Sequence, residues 1–475
     1  MALPANQFFK TLRELVDPAL VFGFACALAW LMITIRAGVL ISATADPLVV
    51  HVPFYLWLTA TAAVALVAGG LAGERLNGPL SNPVARAAPT LAMVAGTAAL
   101  PLVASTDSRT AVVLAACAGA LAGGGLGIFF LQWGFVWTTY GFKVVVASAI
   151  ASWGFCAAFF VAVLLFDPVA ATLASVALPC VSLLLLQIAG RHPDKAPPFG
   201  RGTGRASGSR KMVGRLAALG LVYGFVNEWT RLSLIQRSSD TGPGYFAAAN
   251  ALALVIALVV VSITILTPLA ANPDVRVELL YRFVLLLSVV ATMLLVLDED
   301  PPFISYALNM AAYLCLAVTL WAATISLSRR FPKGNGRIIG IVVAAWMAGP
   351  LIGAQLNHEL HVAGAVPTPQ VSAVAGVCAI LAVYGFVYRE SDIASTTMEG
   401  RAGDLTEKCA QVAWRHNLTE RESQILACLA RGRDAPWVQK RLWLAHSTVS
   451  THRQHIYEKL GVHSQQELID LVEGA

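Results

Sequence analysis

The sequence predicts an all-α protein in which a membrane bundle of twelve helices is followed by a small C-terminal domain of four helices. Of its 475 residues, 57% are hydrophobic and 13% are charged. The mean hydropathy of +0.68 lies far above that of a soluble protein. The stretch from Leu418 to Val472 is the only long segment too polar for a bilayer, and it carries helix-capping residues. These observations divide the chain into a membrane domain and a polar tail.

Twelve apolar runs are close to the roughly 20 residues that an α-helix needs to cross a bilayer. A stretch rich in Gly, Pro, Ser and Arg, residues 191–212, separates the first six runs from the last six and is predicted to be a cytoplasmic linker. The predicted membrane domain covers residues 1–389, with halves at 18–190 and 213–388. The runs lie at about 18–35, 49–72, 85–105, 110–132, 143–165, 168–190, 213–235, 244–270, 278–297, 303–327, 338–358 and 371–388.

Basic residues in the connections predict the orientation of the bundle, because short loops rich in lysine and arginine stay in the cytoplasm. The intervening connections carry few basic residues, and one of them is the acidic Asp298-Glu299-Asp300. Arg231 and Arg237 are the main exception. Both termini are therefore predicted to be cytoplasmic, in a multi-pass protein of the plasma membrane. The predicted cytoplasmic connections contain Arg75, Arg86, Lys143, Arg191, Lys195, Arg201, Arg205, Arg210, Lys211, Arg276, Arg282, Arg329, Arg330, Lys333 and Arg337.

Six spans, a basic linker and six more spans resemble the major facilitator superfamily, whose two bundles rock around a site near the middle of the membrane. The residues Gly69-Gly70-Leu71-Ala72 are similar to the start of that family's signature after span two. Gly73 and Glu74 replace the aspartate and the basic residue of the signature, which favours sensing over transport. In span four, Gly119, Gly123 and Gly127 form a ridge that permits close helix packing.

Ionisable side chains within a bilayer are costly, so each of them is a candidate for function. Span seven carries Asn227, Glu228 and Arg231, with Glu228 and Arg231 on one helical face, and Arg36 ends span one. One interpretation is a cluster that contacts a ligand inside the bundle. The other is a structural set of side chains that pair with one another. The sequence leaves both interpretations open.

The polar tail, residues 417–475, contains the start and stop signals of several short helices. Thr419 and Glu422 form a capping box that begins the first helix, and Gly432 is the expected left-handed residue after its end. Asp434 is a good N-cap for the second helix, which has Pro436 in its first turn. The third helix follows the sequence STVSTHRQHIYEKL. Its periodicity directs Val449, His452, Ile456 and Leu460 to the core, and Ser447, Ser450, Thr451 and Gln454 outward.

Two helices joined by a tight turn, the second with small polar residues facing outward, are typical of a helix-turn-helix that enters the major groove of DNA. The segment resembles the LuxR/FixJ-type DNA-binding domain through LTERE at 418–422, Gly432, Leu442, TVSTH at 448–452, Ile456 and KLGV at 459–462. This resemblance implies that Ser450, Thr451 and Gln454 face the DNA bases. It also assigns backbone contacts to Thr419, Arg421, Ser447, Thr448, Arg453 and Lys459.

The tail also departs from that family, with Ala445 in place of the serine that caps the recognition helix and Gln465 in place of an arginine. Seven basic residues are balanced by seven acidic residues, so one copy should gain little from counterion release. A homodimer on DNA is therefore expected. The predicted dimer face on the final helix consists of Leu468, Ile469, Leu471 and Val472. A small helical interaction domain that does not bind DNA is the alternative.

The predicted function is a membrane-bound one-component transcriptional regulator, in which the membrane domain senses a ligand and the tail binds DNA. Residues 390–416 are expected to form a linker, with Leu405, Cys409 and Val412 as one short helix against the tail. The expected partners are DNA, membrane lipid and an unidentified small-molecule ligand. The alternatives are a transporter with an autoregulatory DNA-binding tail and a DNA anchor that senses nothing. No nucleotide loop, catalytic triad or metal-binding spacing is evident, so neither an enzyme nor a cofactor is expected.

Overall fold

The computed structural model of the protein describes residues 16–37, 40, 47–73, 83–103, 108–191, 206–237, 243–266, 277–297, 303–331, 334–365, 368–383 and 399–473. These residues form helices and short connections and contain no strand, so the all-α prediction is confirmed.

Twelve helices of the described chain correspond to the twelve predicted spans. Asp17 begins the first helix by accepting hydrogen bonds from the amides of Ala19 and Leu20. The helices are α1 (Pro18–Met32), α2 (Pro47–Ala72), α3 (Pro83–Val103), α4 (Ser108–Trp137), α5 (Phe142–Leu164), α6 (Pro168–Ala189), α7 (Ala206–Arg237), α8 (Pro243–Val261), α9 (Val277–Leu297), α10 (Phe303–Arg330), α11 (Asn335–Val362) and α12 (Pro369–Ala382).

Over the described residues, nine of these helices are long and apolar enough to cross a membrane. The other three are α7, α9 and α12. The α7 helix carries the charged Glu228 and Arg231, and the described α12 has only 14 residues. The α7 helix also begins at Ala206, inside the stretch predicted as a linker, while residues 192–205 lie outside the described residues.

Within the described part of the chain, α1 and α8 each continue into a five-residue π-helical turn. The turn after α1 is Ile33–Ala37, and the turn after α8 is Ser262–Leu266. Such wide turns are rare and are often found at functional sites, because they change the direction in which side chains project. The first of them carries Arg36, which was expected at the end of span one.

The two halves meet where α2 packs against α11 and α5 packs against α8. Glycines allow the closest approach, because a side chain at Gly70 or Gly340 would press on the backbone of the opposite helix. The predicted ridge on α4 has the same effect within the first half. A side chain at Gly119, Gly123 or Gly127 would overlap carbonyl oxygens of α2.

The tryptophans of the membrane domain divide between the core and the surface. Trp30, Trp133 and Trp137 are fully buried, and the first two donate hydrogen bonds to Thr97 and Ser182 on other helices. Trp57 is half exposed, as an interfacial residue would be, and Trp153 lines a cavity between the halves.

The C-terminal domain has its own hydrophobic core, to which five helices contribute. Cys409 and Val412 are buried in this core and Leu405 packs against it, so the short helix expected in the linker belongs to the domain. It extends the predicted four helices to five because its apolar side chains cover the first and last helices of the tail. The helices are α13 (Glu399–Arg415), α14 (Glu420–Leu429), α15 (Ala435–Leu442), α16 (His446–Leu460) and α17 (Gln465–Glu473).

Candidate functional site

The start of α14 is fixed by the predicted capping box. The Thr419 hydroxyl accepts a hydrogen bond from the Glu422 amide at 3.3 Å, and the Thr419 amide donates to the Glu422 carboxylate at 2.7 Å. The Glu422 carboxylate also accepts a hydrogen bond from Lys459 Nζ at 2.7 Å, and this ion pair connects α14 to the end of α16. Burial raises the pKa of Glu422, but the hydrogen bonds from Lys459 and Thr419 outweigh it and lower the pKa to about 2. This carboxylate orients α14 relative to α16.

The turn between α15 and α16 sets the angle of the helix-turn-helix. Asp434 caps α15 by accepting a hydrogen bond from the Trp437 amide at 3.0 Å, as predicted. Trp443 ends α15 in the left-handed conformation, with φ of 55°, and its side chain is 93% exposed. Gly432 also has a positive φ of 70°, as predicted for the stop after α14. Ala445 precedes α16 without a side-chain cap.

The outward face of α16 presents the residues expected to read DNA bases. Ser450, Thr451 and Gln454 are all exposed. The Thr451 hydroxyl donates to the Ser447 carbonyl at 3.0 Å, and the Gln454 amide donates to Glu458 at 3.1 Å. To contact a DNA base, these side chains would have to give up their intrahelical hydrogen bonds.

The residues expected to contact the DNA backbone surround this face with different freedom to do so. Arg453 and Ser447 are exposed, while Thr448 is partly buried. Arg421 is exposed and donates a hydrogen bond to Gln424 at 2.7 Å. Lys459 is held in the ion pair with Glu422, so a phosphate would share this lysine with a buried carboxylate.

The inward stripe of α16 is formed as predicted by Val449, Ile456 and Leu460, which are buried. His452 is only partly buried, and its Nδ1 has no hydrogen-bond partner among the described residues. It therefore lies at the margin of the core.

The predicted dimer face needs correction. Leu468 and Val472 are fully buried in the core of their own domain, so they are not accessible to a second copy. They face inward because α17 is amphipathic and closes the domain over α13 and α14. Of the four residues expected on this face, Ile469 and Leu471 are partly accessible, and Leu471 also packs against the core.

One contact of the domain was missed in the sequence. The Gln465 side-chain amide donates to the carbonyl of Leu429 at 2.9 Å and to that of Arg433 at 3.1 Å. It thereby holds α17 against the end of α14 and the turn that follows it. The only available signal was that this position departs from the arginine of the resembled family.

In the membrane domain, the structure brings two of the three cluster residues together with Arg36. Glu228 is fully buried and accepts hydrogen bonds from Arg231 Nε at 2.9 Å and from Arg36 Nη2 at 3.0 Å. Arg36 lies on the turn after α1 and Glu228 on α7, so this ion pair joins the two halves of the bundle. The Arg231 guanidinium also lies 6.0 Å from the centre of the Tyr55 ring.

Asn227 is buried but faces a different neighbour. Its side-chain nitrogen lies 3.8 Å from the sulfur of Met310 on α10. Its side-chain amide oxygen, Oδ1, has no hydrogen-bond partner among the described residues. The cluster thus consists of a charged part that joins α1 to α7 and an amide that contacts α10. The pairing of Glu228 with two arginines agrees with the structural interpretation, while the unpartnered amide oxygen is compatible with a binding role.

Comparison with known proteins gives the tail its family. Residues 416–472 match the family described as bacterial regulatory proteins, luxR family. Over 70 residues the chain is 40% identical to the probable transcriptional regulatory protein NarL of Mycobacterium tuberculosis, covering 15% of this chain and 32% of NarL. It is 42% identical over 65 residues to the uncharacterized response regulatory protein YgeK of Escherichia coli, covering 13% of this chain and 44% of YgeK. The chain therefore spans less than half of either relative.

The membrane part is similar to solved transporter structures at low sequence identity. A bacterial homologue of the iron transporter ferroportin, in an outward-facing state, superposes with a TM-score of 0.54 at 12% identity, covering 78% of this chain and 96% of that protein. The E. coli fucose:proton symporter FucP superposes with a TM-score of 0.51 at 12% identity, covering 81% of this chain and 100% of FucP. At this identity the likeness concerns the fold. The chain thus joins a membrane bundle with a major-facilitator fold to a C-terminal DNA-binding domain of the luxR family.

Proposed function

We propose that this protein is a membrane-bound one-component transcriptional regulator, whose membrane domain senses a small-molecule ligand and whose tail binds specific DNA sequences. The observation that carries the proposal is the presence of a recognition helix with exposed Ser450, Thr451 and Gln454 on the same chain as a transporter-like bundle. The fold of the bundle supplies two halves that can change their relative position. A ligand that binds one arrangement better than another would shift the population of the tail's DNA-binding state.

On the DNA side, α16 would enter the major groove with its N-terminal half towards the bases. Thr451 and Gln454 have the hydroxyl and amide groups that suit base edges, and Arg453 is free to reach a phosphate. Because the tail's charges balance, two copies are expected on one operator, with Ile469 and Leu471 available between them.

On the membrane side, the ion pair between Arg36 and Glu228 is the feature most suited to switching. It joins the halves at a distance of 3.0 Å, and both side chains are at least nine-tenths buried. A ligand that disturbs this pair changes how the halves are held together. The coupling typical of such systems is about 1–3 kcal/mol, which is enough to alter promoter occupancy several-fold.

A transporter with an autoregulatory tail is the competing function, and no described contact favours it. Glu228, the acid that would have to carry coupling protons, already accepts hydrogen bonds from two arginines. We expect no saturable accumulation of a radiolabelled inducer in sealed vesicles containing the purified protein. Transport that depends on Glu228 would place the protein in the transporter class.

The regulator function can be tested by the genomic occupancy of the full-length protein in its membrane, measured by chromatin immunoprecipitation. The Gln454→Ala variant should lose or redistribute its discrete sites. The matched control is Gln466→Ala, an exposed glutamine of the same domain on α17, which should leave every site occupied. Discrete occupancy that is identical in wild-type protein and Gln454→Ala would contradict the assignment of α16, and absence of any discrete site would contradict the regulator function.

A further inference from the structure

A cavity of about 50 Å³ lies between the two halves of the bundle, next to the Arg36–Glu228 ion pair. The N-terminal half contributes α1, α2 and α5 to its wall, and the C-terminal half contributes α10 and α11. The side chains that matter for its chemistry are one guanidinium and four aromatic rings, those of Arg36, Tyr55, Trp153, Tyr313 and Trp346.

The cavity wall carries hydrogen-bond donors that have no acceptor among the described residues. Arg36 uses Nη2 on Glu228, but its Nη1 is buried and has no partner among the described residues. The indole nitrogen of Trp346 is also buried and, within the described part of the chain, equally unpartnered. The Tyr55 hydroxyl is a third buried group on this wall without a partner among the described residues. Buried donors without acceptors are rare and costly, so three of them lining one cavity indicate that a ligand supplies the acceptors.

The charge of the cluster has the matching sign. Arg36 and Arg231 both pair with the single carboxylate of Glu228, which leaves one positive charge in excess among these three residues. Arg36 is only 7% exposed, so solvent does little to compensate it. A guanidinium whose second nitrogen is free binds a carboxylate through charge-assisted hydrogen bonds better than it binds a neutral group.

We propose that this cavity binds an aromatic organic monocarboxylate, with its carboxylate on Arg36 Nη1 and the indole nitrogen of Trp346 and its ring among Tyr55, Trp153 and Tyr313. The proposal rests on the proposed function, since it names the ligand class of that sensor. A carboxylate brings the three-residue cluster to neutrality. The aromatic side chains supply a wall against which a flat ring can stack.

The size of the cavity connects binding to movement. It has room for no more than a few water molecules, so a ligand with a ring can enter only if the halves move apart. The incoming carboxylate would also compete with Glu228 for the same guanidinium. Binding would therefore weaken the ion pair that joins α1 to α7, and the arrangement that holds the ligand would be the one with the halves separated at this level.

Three probes of nearly the same shape test the proposal: 3-phenylpropionate, its amide and 3-phenylpropylamine. Binding to the full-length protein in lipid nanodiscs would be followed by tryptophan fluorescence and thermal shift. We expect saturable binding of the acid, at least tenfold weaker binding of the amide and none of the amine. In Arg36→Gln, which leaves Glu228 paired with Arg231, the acid should lose its advantage over the amide. The matched control is Arg109→Gln, which removes one exposed arginine at the start of α4 and should retain the advantage.

Equal binding of acid and amide by the wild-type protein would overturn the proposal, as would no binding of the acid at millimolar concentration. Retention of the acid's advantage in Arg36→Gln would also overturn it. The conservative variant Arg36→Lys controls for misfolding, because it keeps the positive charge but lacks the second nitrogen. It should show an intermediate preference for the acid over the amide. These outcomes concern binding alone. If the acid binds as expected and occupancy of DNA does not change, the site is correct and the regulator function is not.

Discussion

At the scale of single residues, Glu422 shows how one carboxylate can position the recognition helix. It accepts hydrogen bonds from Thr419 and Lys459, and its pKa falls from the usual 4.5 to about 2 despite the opposing effect of burial. A carboxyl group whose pKa is lower in the folded state stabilises that state above its unfolded pKa. The contribution is lost as the pH falls from about 4.5 to about 2.

We therefore expect the unfolding temperature of residues 399–475, measured by circular dichroism, to fall as the pH is lowered through this window. Glu422→Gln should unfold at a lower temperature at pH 7 and should show a weaker decline in acid, because the ionised group is absent. Glu420→Gln, an exposed neighbour in the same helical turn, is the control and should retain the decline. Parallel pH profiles for wild-type protein and Glu422→Gln would contradict this role.

The exposed face of α16 gives a second prediction at this scale. Thr451→Ala should change the preferred base at one operator position, because a good base contact contributes about 1–3 kcal/mol of discrimination. Arg453→Ala should weaken all sequences alike and reduce the slope of binding against salt by about one, because its expected contact is a phosphate. Binding to a randomised operator library at several salt concentrations distinguishes the two effects. A uniform loss for both variants would argue against base recognition by Thr451.

The sequence predicted residues well where they are close along the chain and poorly where they are not. The capping box and the pair of Glu228 with Arg231 follow from spacings of three residues on a helix. Arg36 was noted as an intramembrane charge, but its pairing with Glu228, 192 positions away, depends on how the two halves pack. The dimer face was partly wrong because an apolar stripe looks the same whether it covers its own core or a second copy.

At the scale of helices, the glycine ridge of α4 decides how closely α2 and α4 pack. A methyl group at Gly123 would overlap the Leu58 carbonyl oxygen, whereas one at Gly124 meets no atom within 4 Å. Gly123→Ala should therefore destabilise the bundle by about 1–3 kcal/mol, in the range of overpacked cores. Gly124→Ala should be neutral or slightly stabilising, since alanine favours helix formation by about 0.5–1 kcal/mol over glycine.

The measurement is the thermal unfolding of both purified variants in the same detergent, alongside the fraction that elutes as a single species. Equal stability of the two variants would show that the contact between α2 and α4 is looser than the structure indicates. The start of α15 was predicted closely because its N-cap, Asp434, marks it. The start of α7 was not, because its polar first turns resemble a linker in composition.

At the scale of the whole molecule, the division into two units could be predicted because each has its own composition and its own core. What composition could not give is which helices touch across the halves, since every apolar run offers similar surfaces. The contacts of α2 with α11 and of α5 with α8 follow from tertiary packing. The orientation in the membrane stays a prediction from loop charges.

That orientation can be tested with reporter fusions. A reporter after Ala475 should be active only as a cytoplasmic fusion, and one inserted near Glu299 only as an extracytoplasmic fusion, because basic connections stay inside. If the C-terminal fusion is active on the extracytoplasmic side, the tail lies across the membrane from the DNA, and the proposed function is contradicted. A fusion in the basic stretch near Lys195 is the internal control and should behave like the C-terminal one.

The backbone contact of α2 with α11 at Gly70 and Gly340 makes that point a natural fulcrum. Tyr55 lies fifteen residues from Gly70 along α2, or about 22 Å at 1.5 Å per residue. A rotation of about 10° around the fulcrum would move Tyr55 by about 4 Å, enough to open the cavity beside the Arg36–Glu228 pair.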